Sequence, residues 1–270
     1  MKYAKKSLGQ NFLIDLNIVR KITSLTNISN KNVLEIGPGK GILTEELLKH
    51  KPKSLILVEK DNNLFEQLKL KYEKYKEIEI YNYDILKFNL EKKLKKNTII
   101  FGNLPYNISS QILTKIIKLK TKPTKYSYLI FMFQKEMAER IIGKYGTSGY
   151  GRLSILTQYR LNILKKFAVS PNCFFPKPKV DSTVLFFKSK NLFDENIKNI
   201  ENLEKITNIF FSNKRKMINK NIKKILKKKQ INLIENLDLE SRPSDLKPEK
   251  YYKITELYEK VWLNYFYSSK

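Results

Sequence analysis

Residues 32–41 read Asn-Val-Leu-Glu-Ile-Gly-Pro-Gly-Lys-Gly, and the change of character halfway through this run decides the fold. Asn32 to Ile36 is a short apolar segment of strand length. Glu35-Ile36-Gly37-Pro38-Gly39-Lys40-Gly41 then turns the chain into a stretch with helical spacing. Three of the chain's nine glycines fall within five residues, which lets a backbone come close to a bound molecule. The same strand-to-helix alternation continues outward. Ser54 to Val58, Ile78 to Tyr81, Thr98 to Phe101 and Tyr126 to Phe133 read as strands, and the segments near 14–27, 41–50, 61–76 and 109–120 read as helices. Such alternation predicts an α/β fold, a Rossmann-like parallel sheet covered by helices on both faces. Ile163 to Val169 and Ser182 to Phe187 are expected to add an antiparallel hairpin at one edge, joined by a stiff loop from Ser170 to Lys179. Beyond about residue 190 strand signals stop. Leu203 to Lys229 has helical spacing and Lys250 to Phe266 reads as a final helix, so residues 1–190 are expected to form one domain and 191–270 a small all-helical one.

Composition narrows the partner. The 270 residues include 53 basic and 26 acidic side chains, a net charge of +27, which favours a polyanion over a small acidic substrate. All but six of the basic residues are lysine, and Asn and Ile are abundant, a drift typical of AT-rich genomes that accounts for part of the excess. Cys173 is the only cysteine and His50 the only histidine. An internal disulfide is thereby excluded and a reducing cytoplasm expected, while catalytic triads, Cys/His dyads and histidine metal sites are disfavoured. No metal site is expected. No apolar run approaches the ~18 residues of a membrane span, and no targeting peptide is expected ahead of the motif starting at Gly9.

The glycine turn is not a dinucleotide fingerprint, because Ile42 stands where the third glycine of G-x-G-x-x-G belongs. Gly-x-Gly-x-Gly preceded by an acid is the pattern of S-adenosylmethionine enzymes, where no pyrophosphate is cradled and a carboxylate faces the methionine ammonium. Glu59, at the end of the second strand, is placed to accept both ribose hydroxyls. Asp84, after the third, is placed to accept from the adenine amino group. Acids after the first three strands and Asn103 after the fourth line the carboxyl edge of the sheet, where open α/β folds bind ligands.

Asn103-Leu104-Pro105-Tyr106 suits one chemical problem. The lone pair of adenine N6 is delocalised into the ring, so the nitrogen becomes nucleophilic only when its hydrogens are gripped and its geometry biased toward tetrahedral. The Asn103 amide oxygen can be one acceptor and the Leu104 carbonyl the other, with Pro105 stiffening the turn and Tyr106 stacking on the base. Taken alone, the four residues are also compatible with an ordinary turn after a strand.

Together with Lys6-Ser7-Leu8-Gly9-Gln10-Asn11-Phe12-Leu13, Gln134-Lys135-Glu136, Tyr150-Gly151-Arg152-Leu153-Ser154 and Phe174-Phe175-Pro176-Lys177-Pro178-Lys179-Val180-Asp181-Ser182, these motifs give a chain that resembles the ribosomal RNA small-subunit adenine dimethyltransferases of the KsgA type nearly end to end. The resemblance implies a class I S-adenosylmethionine methyltransferase sheet with a helical rRNA-binding domain. It also implies that Asn11 and Leu13 close over the methionine end of the cofactor, that Gly37, Glu59, Asp84 and Asn103 complete its site, and that Phe174 stacks on the target adenine opposite Tyr106.

The function expected is dimethylation of N6 on two adjacent adenosines in the 3′-terminal hairpin of small-subunit rRNA, by a cytoplasmic monomer acting on a pre-ribosomal particle and no membrane. Two rivals stand beside it. One is the erythromycin-resistance type of large-subunit methyltransferase, which usually carries Ile at the position of Leu104 and shares the lysine at Lys177. The other is a non-catalytic RNA-binding, assembly or transcription factor on the same fold. Lys214, Arg215 and Lys216, on or near one helix, and Lys5 and Lys6 are expected to contact phosphates.

Overall fold

The computed structural model describes residues 10–120, 125–190 and 196–267, with side chains up to residue 260; Lys5 and Lys6 lie outside it. A seven-stranded sheet forms the centre of the first of two compact units. Its spatial order is β4 (Ile78–Asn82), β3 (Ser54–Glu59), β2 (Asn32–Ile36), β5 (Thr98–Asn103), β6 (Tyr126–Gln134), β9 (Ser182–Ser189) and β7 (Leu161–Val169). The first five strands are parallel, and β9 runs antiparallel to both β6 and β7. The antiparallel pair expected at one edge is therefore present, with β9 seated inside β7.

Burial on both faces explains the continuous apolar strands. Val33, Leu34, Leu55, Leu57, Ile99, Ile100, Phe101 and Leu129 to Phe133 are nearly or fully inaccessible. Helices α1 (Leu16–Thr23), α2 (Ile42–Lys49), α3 (Asn62–Tyr72) and α5 (Ser109–Ile117) cover them, with a single turn α4 (Leu90–Lys93) between. Asp15 and Asp61 cap α1 and α3, each side-chain oxygen accepting from two backbone amides of the first turn.

A two-stranded ribbon was not expected. β1 (Phe12–Leu13) pairs antiparallel with β8 (Phe174–Phe175), with Phe12 opposite Phe175 and Leu13 opposite Phe174. Two-residue strands carry no periodicity, so only their pairing makes them visible.

The second unit departs from the expected boundary. Compactness divides the chain into residues 1–138 with 161–191, and residues 139–160 with 192–270. The second half of α6 (Lys135–Ile142) and all of α7 (Arg152–Arg160) thus group with the C-terminal helices, whereas the sequence reading placed them in the first domain. Side-chain bonds are the reason. Tyr150 donates to the Leu246 carbonyl at 2.7 Å, Arg152 Nη1 to Asn208 Oδ1 at 3.1 Å, and Tyr252 to the Ile155 carbonyl at 3.3 Å. The apolar spacing from Leu203 to Lys229 is not one helix. It resolves into α8 (Ile200–Phe211), α9 (Asn219–Lys223) and α10 (Lys228–Ile231), because the Ser212 amide closes α8 on the Asn208 carbonyl. The final helix, α11, runs Pro248–Tyr267. Among the described residues no helix is long and apolar enough to cross a membrane.

Candidate active site

A cleft opens at the carboxyl ends of β2, β3, β4 and β5, inside the first unit. Its floor is the glycine turn. Gly41 has φ +80°, and a Cβ there would sit 2.7 Å from the Tyr72 hydroxyl, which itself donates to the Gly41 carbonyl at 3.1 Å. Gly37, at φ +66°, is different: an added Cβ would meet nothing nearer than the Asn103 carbonyl oxygen at 4.0 Å. The turn is packed behind and open in front, so the space at Gly37 is where a ligand can lie against the backbone.

Carboxylates ring this floor. The Glu59 oxygens accept from the Gly39 amide at 3.1 Å and the Asp61 amide at 2.9 Å, which ties the end of β3 to the glycine turn. Burial raises the Glu59 carboxyl above its usual range despite these bonds. Glu35 lies deeper, accepting from the Thr44 hydroxyl at 2.7 Å, and burial together with the nearby Glu59 charge pushes it up to about 8. Asp84 is partly exposed. Its Oδ1 accepts from the Leu86 amide at 2.9 Å and its Oδ2 pairs with Lys60 at 2.8 Å, the bond that holds it below the ordinary carboxylate range.

Asn103 ends β5, and its Nδ2 donates to the Asn11 carbonyl at 2.9 Å. That bond assigns the amide orientation and leaves its oxygen as an acceptor. Downstream, the Pro105 carbonyl accepts from the Ile108 amide at 3.1 Å and the Tyr106 carbonyl from the Ser109 hydroxyl at 3.2 Å, both in the turn that starts α5. Among the described residues no hydrogen bond occupies the Leu104 carbonyl or the Asn103 amide oxygen, while the Leu104 side chain is buried. Two acceptors thus remain at adjacent residues, as the amino-group reading requires. The Tyr106 ring is half-buried and its hydroxyl lies 2.6 Å from Ser182 Oγ.

Asn11, Leu13, Gly37, Glu59, Asp84, Asn103, Leu104, Pro105 and Tyr106 all line this one cleft. Phe174 does not. Its side chain is 3% exposed and packs in the core beside Leu13, which itself lines the cleft. Strand alternation accounts for its burial: within β8 successive side chains point to opposite faces, and Phe174 takes the inner one with Leu13. Sequence reasoning missed Phe12, Lys60 and Ser182 as contributors. Phe12 and Ser182 lay within quoted motifs, but nothing in their residue types marked a role.

The open turn at Gly37 and the acceptors at Asn103 and Leu104, on the carboxyl edge of a β4-β3-β2-β5-β6-β9-β7 sheet, are the arrangement of a class I methyltransferase. More narrowly, the chain belongs to the ribosomal RNA adenine dimethylase family, whose model matches residues 1–260. It is 48% identical over 257 residues to the ribosomal RNA small subunit methyltransferase A of Pelagibacter ubique, covering 95% of this chain and 97% of that protein. It is 43% identical over 258 residues to the protein of the same name from Malacoplasma penetrans, covering 93% and 91%. Among solved structures it is similar to a dimethyladenosine transferase from Plasmodium falciparum, with TM-score 0.76 and 27% identity over 92% of this chain and 98% of that one. The 23S rRNA methyltransferase ErmE shares the fold at TM-score 0.68 and 22% identity, covering 92% and 100%.

Proposed function

We propose that this protein dimethylates N6 of two adjacent adenosines in the 3′-terminal hairpin of small-subunit rRNA, using S-adenosylmethionine. Its setting in this reading is the cytoplasm, where it works as a monomer on a pre-ribosomal particle during subunit maturation. The relatives at 43–48% identity carry small-subunit names, which disfavours the large-subunit alternative; the likeness to ErmE speaks for fold only. A non-catalytic role is disfavoured by the intact glycine turn and acceptor pair.

The observation that carries the reading is the pair of adjacent acceptors, the Asn103 amide oxygen and the Leu104 carbonyl, to which none of the described residues donates. They grip the two N6 hydrogens and bias the nitrogen toward a tetrahedral geometry, so that its lone pair points at the methyl donor. S-adenosylmethionine, when bound, supplies an electrophilic methyl carbon on a sulfonium. Gly37 would give its open backbone face to the donor, Glu59 would accept from the ribose hydroxyls, and Asp84 would accept from the adenine amino group. Glu35 would face the methionine ammonium, whose charge would favour its ionised form, while Asn11 and Leu13 would cover that end. The proton lost from N6 passes to water, because the alkylated nitrogen is acidic and no strong base is required. Tyr106 stacks on the target base.

The test is mass spectrometry of rRNA from undermethylated small subunits after incubation with the protein and S-adenosylmethionine. Two neighbouring adenosines each heavier by two methyl groups are expected. Unmodified small-subunit rRNA, or label in large-subunit rRNA only, rules the reading out.

A further inference from the structure

The ribbon of β1 and β8 has two faces with opposite fates. Residues directly opposed in an antiparallel pair project to the same side. Leu13 and Phe174 form the inner pair and are both buried, at 4% and 3% exposure. Phe12 and Phe175 form the outer pair, and Phe175 is 52% exposed, among the large apolar side chains the protein leaves in solvent. Phe12 is the half-buried member. It lines the cleft and abuts the glycine turn, where a Cβ at Gly39 would come within 3.0 Å of its ring. Phe175 lies one strand further out and is not part of the cleft wall. The aromatic pair therefore runs from the cleft to its rim.

Positive charge accompanies it. Lys40 Nζ stands 5.1 Å from the centre of the Phe12 ring, and Lys177 and Lys179 are exposed just beyond Phe175. An exposed aromatic flanked by lysines is the pattern that takes an unpaired nucleotide, base on ring and phosphate on ammonium.

We propose that Phe175 is a stacking platform for the RNA base next to the one being methylated. This rests on the methyltransferase reading above. The target base must reach Asn103 and Leu104 inside the cleft, so an aromatic at the rim meets its neighbour along the strand. Extruding a base from its stack leaves that neighbour with an uncovered face, and Phe175 covers it. Phe175 acts on RNA affinity and register, and takes no part in methyl transfer.

Variants Phe175→Ala, Phe175→Leu and Phe175→Trp test this with two substrates. The first is undermethylated small subunits, assayed for methyl transfer. The second is an RNA hairpin carrying 2-aminopurine beside the target adenosine, whose fluorescence falls on stacking, titrated with protein and S-adenosylhomocysteine. Wild type and Phe175→Trp should quench the probe. Phe175→Ala and Phe175→Leu should lose most of the quench and raise the half-saturating subunit concentration roughly 5- to 150-fold, with kcat and cofactor affinity unchanged. Equal quench and half-saturation in Phe175→Ala overturn the proposal. So does a Leu variant that behaves as wild type, because apolar cover would then suffice. A defect confined to subunits with the hairpin unaffected also overturns it, pointing to a protein contact. Wild-type protein that methylates no small-subunit adenosine would defeat the methyltransferase reading instead, while the hairpin titration still reports on Phe175.

Discussion

The Tyr106 hydroxyl is joined to Ser182 Oγ at 2.6 Å, which ties the last residue of the Asn-Leu-Pro-Tyr run to the first residue of β9. Ser182 is fully buried and opposed by Gln134 on one side and Val169 on the other, so it cannot drift. The ring of Tyr106 is thereby fixed at its far end by the sheet. Ser182→Ala removes that anchor and should lower kcat about tenfold while leaving cofactor affinity unchanged, since a stacking ring free to rotate no longer presents one face. In a Tyr106→Phe background the same substitution should add nothing. A kinetic double-mutant cycle checks this, and additive losses would show that Ser182 acts by some other route.

Asn103→Ala deletes one of the two acceptors and also the donor that holds the Asn11 carbonyl. Turnover should fall by about 10²–10³, the range for losing one preorganised group at a reacting centre. RNA binding measured by filter retention should be unchanged. A near wild-type methylation rate from a folded variant would remove Asn103 from the chemistry.

The buried Glu35 makes stability depend on pH with a definite sign. Its carboxyl is raised from 4.5 to about 8, so the native state holds a proton that the unfolded chain releases. The contribution is fully present below pH 4.5 and is lost as pH rises toward 8, so stability should fall across that window. Glu59, also raised by burial, adds a slope of the same sign. Glu35→Gln keeps the shape and abolishes the titration. Unfolding free energies from urea titrations at pH 5 and pH 8.5 should differ less in the variant than in wild type, by an amount on the order of a few kcal/mol. Equal pH slopes in the two proteins would mean that Glu35 is charged throughout.

Lys214, Arg215 and Lys216 lie in the exposed turn between α8 and α9, and not on a helix. A turn frees the three side chains to point at a common phosphate run. Neutralising all three should flatten log affinity against log salt by up to ~3 units without altering cofactor binding. An unchanged slope would assign these charges to lysine drift alone.

How much of this was legible in the chain depends on the range of the interaction. The five parallel strands and the glycine turn announced themselves because each is a continuous run with its own local signal. The placing of Asn103 and Leu104 at one cleft wall was legible because it follows from their position at the end of one strand. The burial of Phe174 was not legible for the opposite reason: whether it or Phe175 faces outward depends on pairing with Leu13 and Phe12, more than 160 residues earlier in the chain. Ser182 was invisible as a support for Tyr106 on the same grounds. The helical unit's share of residues 139–160 rests on tyrosine and arginine bonds to residues beyond 200, which no window of sequence displays.

The chain enters the helical unit at residue 139, leaves it at 160 and returns after 191. A stop codon near residue 190 would therefore not yield a clean methyltransferase core. It would strand α7, whose Ile155, Leu156 and Tyr159 are buried in the intact protein, without the α8 and α11 surfaces that cover it. Grafting the helical unit onto another catalytic core likewise demands two splice segments moved together. The unit that reads as an appendage in linear sequence is genetically inseparable from the middle of the gene.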